Sequence, residues 1–157
     1  MLILVPNRAP VKLSSILPDA FGPAALGAKQ GALPVRTTNF LLETTGPDRL
    51  LAAGALDAAR RSYAPYSQSP SGIAIRTDRG QIYQGSYIEN VAFNPSLSPL
   101  QTALVQMIAT DVPYNAISAV TLAEMKKGKI SQVAVTEATL HAIAPGIRLN
   151  VVGLRAQ

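Results

Sequence analysis

The sequence predicts an α/β domain. Three observations carry this: two amphipathic helical stretches alternate with β-rich segments, a tight hairpin sits between them, and apolar content is high without any long apolar run. The 157 residues suffice for one core-bearing domain, with 48% hydrophobic and 15% charged residues. No apolar run approaches the roughly 20 residues needed to cross a bilayer, so no membrane association is expected. The opening MLILVPNR is too short for a secretory leader and lacks a basic region ahead of its apolar run. Cysteine is absent, which excludes disulfides and thiolate metal sites and fits a cytoplasmic protein.

In chain order, Leu2–Val5 is a short β-type run closed by Pro6-Asn7, and Ala9–Leu17 reads as a short helix halted by Pro18. Residues 18–46, punctuated by Pro and Gly, read as an extended strap along which Phe40-Leu41-Leu42 could pack on the core. A helix follows from Pro47-Asp48 to about Ser62, with Pro near its first position, an acid in its first turn and Arg60-Arg61 at its negative end. Residues 72–77 and 81–85 form a hairpin about Asp78-Arg79-Gly80. A loop through Glu89-Asn90 to Pro95 then feeds a helix beginning near Ser96, whose predicted core stripe is Leu97, Leu100, Leu104, Met107 and Ile108. Tyr114–Ala123 reads as a buried strand, Val133–Ala144 as a helix ended by Pro145-Gly146, and Ile147–Leu154 as the last strand.

The net charge of +5 comes from scattered residues, of which only Lys126-Lys127 and Lys129 cluster. With 5% aromatic residues and no stacking platform, a solvated surface is favoured and no nucleic-acid partner is expected.

The stretch Gly85-Ser-Tyr-Ile-Glu89-Asn90-Val-Ala-Phe93 resembles the core of the cytidine deaminase family. That family follows this segment with a first zinc ligand, an Ala and a catalytic Glu, and later with a Pro-Cys-x-x-Cys element. Here Ser98-Pro99-Leu100 and Val133 to Thr136 occupy those positions, and Ser69 stands where active members carry an aromatic against the pyrimidine. Leu17–Pro23 is similar to the segment joining the two domains of the homodimeric, two-domain class. The implied fold is a three-layer α/β/α cytidine deaminase-like domain with a mixed central sheet of about five strands.

On this resemblance residues 1–17 are a remnant of a preceding catalytic domain, 18–46 a linker, and 47–157 a zinc-free domain. The implied function is that of a non-catalytic C-terminal domain of a cytidine deaminase, which hydrolyses cytidine or deoxycytidine to uridine or deoxyuridine. It would provide homodimerisation and complete the partner's active site. The alternative is a stand-alone pseudoenzyme, a dimerisation or nucleoside-binding regulator. By the same resemblance Val91, Ala92 and Phe93 line a pyrimidine pocket in trans, and Glu89 matches a ribose-contacting residue whose paired Asn is here Tyr87. Ser98, Leu100, Val133 and Thr136 are degenerate zinc and catalytic positions, so no cofactor is expected in this chain and it is expected to be inactive alone. Zinc would belong to an absent catalytic domain, the chain's expected partner, and cytidine would bind only at a shared site. Read from their own surroundings, Glu89 and Asn90 rather suit bracing their loop through backbone N–H groups, and Phe93 equally suits a core. His141, the only His, sits beside Leu140 and Ile143 and reads as structural.

Overall fold

The computed structural model describes residues 1–4, 6–20, 25, 27, 39–92 and 94–157. It divides into two compact units, Met1–Ala32 and Leu33–Gln157. In the first, β1 (Leu2–Ile3) pairs antiparallel with β2 (Val11–Lys12). A single helical turn, α1 (Leu13–Ile16), follows and buries none of its residues. The helix expected from Ala9 therefore begins only at Leu13, because residues 11–12 are taken up by strand pairing.

The second unit is built on a five-stranded mixed sheet in the order β3-β7-β6-β4-β5. Its strands are β3 (Phe40–Leu42), β4 (Ser71–Thr77), β5 (Ile82–Ser86), β6 (Ile117–Met125) and β7 (Leu149–Ala156). Only β6 and β7 run parallel; β3 pairs antiparallel with β7, and β4 with both β5 and β6. Helix α2 (Arg49–Arg60) covers one face, and α3 (Pro99–Ala109) and α4 (Val133–Ile143) pack on the other. This is the expected three-layer α/β/α arrangement.

Alternation along β4 sorts the two cores. Ile73 and Ile75 point to α3 and α4 with Leu100, Met107 and Leu140. Ala74 points to α2 with Leu51, Ala55 and Val152. The α2 side is thin because the helix presents Ala52, Ala55, Ala58 and Ala59, all essentially inaccessible to solvent. Gly72 completes the close approach, since a Cβ there would lie 2.1 Å from the Ala59 nitrogen. Gly85 does the same on the other face, where a Cβ would lie 2.0 Å from the Pro99 carbonyl oxygen.

Several boundaries differ from expectation for identifiable reasons. α2 starts one residue beyond Asp48, which is the N-cap rather than a first-turn acid; its carboxylate accepts the N–H groups of Leu50 and Leu51 at 3.1 and 3.0 Å. α3 starts at Pro99 rather than near Ser96, because Ser98 and Gln101 form a reciprocal capping box. Leu97 thus precedes the helix and pairs with Ile88, 42% exposed, and Ile108 faces solvent at 59%, while Leu100, Leu104 and Met107 are core. Residues 114–116 form a 3-10 turn, so β6 begins at Ile117. Phe40–Leu42, within the stretch read as a strap, is an edge strand of the sheet, and the Arg60 guanidinium donates to the Phe40 carbonyl.

Candidate functional site

The site-bearing end of the sheet is where β4 begins and β5 ends. Three backbone segments knit together there. Tyr63 N–H donates to the Tyr87 carbonyl and Glu89 N–H to the Tyr63 carbonyl, each at 2.8 Å. Ile88 and Leu97 exchange both backbone hydrogen bonds, so the loop from Tyr87 to Leu97 is pinched closed at its base. Asn90 organises the interior of that loop. Its side-chain oxygen accepts the Ala92 N–H at 2.9 Å, and its own N–H donates to Ser96 Oγ at 2.9 Å.

Glu89 is the centre of this region and is only 5% exposed. Its carboxylate accepts the Tyr66 N–H at 2.8 Å and the Ser67 N–H at 3.1 Å. The Tyr87 phenol lies beside it and beside Ser96. Burial raises the Tyr87 phenol above its ordinary pKa, and the neighbouring Glu89 charge adds to this. The Tyr66 phenol is raised too, first by lost hydration and then by its hydrogen bond with Tyr63. The geometry therefore has Glu89 bracing the 63–67 segment rather than only its own loop. Val91 and Ala92 lie on the turn at the tip of the loop. Phe93 lies outside the described residues.

The remaining positions gather at the N-termini of α3 and α4. Ser98 caps α3, with Oγ accepting the Gln101 N–H at 3.2 Å. Leu100 is core at 1% exposure, Val133 opens α4 half-buried, and Thr136 is fully buried one turn in. Ser69 ties loop to loop, its hydroxyl accepting the Ile130 N–H at 3.1 Å.

One organising residue escaped the sequence reading. Glu124, 9% exposed on β6, accepts the Ser131 hydroxyl and the Gln132 N–H, both at 2.7 Å, and so anchors the start of α4. The signal was present as a lone acid within the apolar run Leu122-Ala123-Glu124-Met125. His141 is exposed on α4. A cleft of about 630 Å³, bordered by Asp48, Arg76, Arg148 and Asn150, opens at the opposite end of the sheet and holds none of these site residues.

A family model described as the cytidine and deoxycytidylate deaminase zinc-binding region matches residues 13–137. The chain belongs to this deaminase family. The cytidine deaminase of Aliivibrio fischeri is 42% identical to it over 154 residues, which is 98% of this chain and 51% of that protein. The cytidine deaminase of Vibrio cholerae is 43% identical over 153 residues, 97% of this chain and 50% of that protein. The chain thus spans about half the length of these deaminase relatives. Among solved structures, cytidine deaminase from Burkholderia pseudomallei superposes with a TM-score of 0.58 at 21% identity, covering 69% of this chain and 91% of that one. The Mycobacterium tuberculosis enzyme gives 0.56 at 19% identity, over 65% and 82%. At such identities these two speak for the deaminase fold alone.

Two expectations are corrected by these matches. A merely non-catalytic C-terminal domain, or a stand-alone pseudoenzyme regulator, is replaced by the broader reading of a cytidine deaminase-like protein. The zinc-binding family model covers most of the chain, and the Vibrio-type relatives match nearly all of it. The expectation of no cofactor in this chain is overturned on the same ground, since the family description itself points to zinc. The side chains at the four positions that the sequence resemblance names do not fit that ion. Zinc takes thiolate, imidazole or carboxylate donors, whereas Ser98 Oγ is occupied as a helix cap and Leu100 and Val133 offer only hydrocarbon. Thr136 adds one neutral hydroxyl, and among the described residues no three His, Cys, Asp or Glu side chains cluster. Among the described residues no helix is long and apolar enough to cross a membrane.

Proposed function

We propose that this chain acts in the hydrolytic deamination of cytidine or deoxycytidine, in which water replaces the exocyclic amino group and ammonia leaves. The observation that carries this reading is the identity of 42% to a cytidine deaminase over 98% of the chain. One part of the chain's contribution is the placing of its loops. Glu89, Tyr66 and Ser67 hold two loops in register, and the loop they hold carries Val91 and Ala92, whose apolar side chains suit a wall against a pyrimidine base. A second copy of the chain is the partner this reading assigns, and the exposed Val105 and Ile108 of α3 offer apolar surface for it.

Conversion of cytidine to uridine by the native assembly, with zinc supplied, tests the proposal. Turnover is expected, and Glu89→Gln should lower it by about tenfold or more through misplacement of the loop. Absence of both uridine formation and saturable cytidine binding in that assembly would overturn it.

A further inference from the structure

We propose that a single buried water, held between Ser71 and Thr136 at the foot of α4, is an integral part of this fold. Ser71 is 1% and Thr136 0% exposed, yet neither hydroxyl has a hydrogen-bond partner among the described residues. A buried hydroxyl left unpaired costs roughly 1–3 kcal/mol, and native interiors rarely leave two in one layer.

Placement puts both hydroxyls in one layer. Ser71 precedes Ile73 and Ile75 by the two-residue strand period, so it points to the α3 and α4 face. Its cross-strand partner on β6 is Glu124, which directly opposes it and shares that face. Glu124 in turn holds Ser131 and Gln132, the residues from which α4 springs. Thr136 lies one turn below core residue Leu140 and faces the same layer.

The chemistry selects water. Each hydroxyl can both donate and accept, as water does. A bare anion would find only two neutral hydroxyls and the repulsive Glu124 carboxylate. A transition metal would find no soft or anionic donor set beyond that one engaged acid. Glu124 retains lone-pair capacity beyond its two recorded bonds, which supplies a third partner of the kind buried waters use.

The test compares signs. If the water is present, Ser71→Ala and Thr136→Val each strand it and lower Tm by a few degrees, and the double variant loses less than the sum. If the hydroxyls are dry, either substitution removes an unpaired polar group and raises Tm, which overturns the proposal. Losses that simply add assign the hydroxyls to separate environments and overturn the shared site. A high-resolution crystal structure of the unaltered protein decides independently of variant folding. Density within hydrogen-bond distance of both Oγ of Ser71 and Oγ1 of Thr136 is expected, and density touching one or neither refutes it.

Discussion

Asp48 illustrates how much one side chain can hold at a helix start. It caps α2 through the N–H groups of Leu50 and Leu51 and pairs with the Arg76 guanidinium on β4. The Leu51 N–H bond, aided by Arg76, lowers its carboxyl below the ordinary value of 3.8. A carboxylate stabilised in the folded state contributes fully above its unfolded pKa, and that contribution fades as pH falls through the lower folded value. Urea unfolding of Asp48→Ala should show a loss of about 1 kcal/mol near neutrality, shrinking as pH falls through the carboxyl's lowered value. Asp48→Asn, which keeps a cap without the charge, should flatten the acid limb of the profile. Glu89 makes a related case, because Gln in its place turns an amide N–H toward backbone donors. A loss of about 1–3 kcal/mol, with faster hydrogen exchange at the Tyr66 and Ser67 amides, would accompany the activity effect.

At the scale of elements, close packing governs which residues are tolerated. β5 and α3 touch through Gly85, so Gly85→Ala drives a methyl into the Pro99 carbonyl. Thermal unfolding should register a destabilisation of about 3 kcal/mol or more, beyond ordinary overpacking because backbone is the obstacle. The helices and hairpin were legible from periodicity and turn chemistry, since Gly80, the apolar spacing of α2 and the run Val133–Ile143 each act locally. The phase of α3 was not. The Ser98–Gln101 capping box starts the helix three residues later than Ser96, so Leu97 lies outside it, and Ile108 faces solvent. Loop residues were legible only through family resemblance, because Glu89 acquires its meaning from Tyr66 and Ser67, more than twenty positions away. Glu124 was hidden for the same reason, its partners lying on the far side of a turn.

The sheet-bearing unit has a deaminase fold whose helix starts are braced by neutral or already engaged groups. Ser98, Gln101, Ser131 and Glu124 satisfy amides at the starts of α3 and α4, where the sequence resemblance expects the zinc positions. Metal analysis of the native assembly bears directly on this: one zinc for each chain requires donors other than Ser98, Leu100, Val133 and Thr136. The sheet order adds a kinetic dimension. Phe40 pairs with Ala156 and Leu42 with Leu154, so the outer strand finds its neighbour only across almost the whole described length of the unit. Closing so long a span is entropically slow. The four inner strands can assemble first, and substitutions along Leu41–Leu42 should then speed unfolding while leaving the refolding rate nearly untouched.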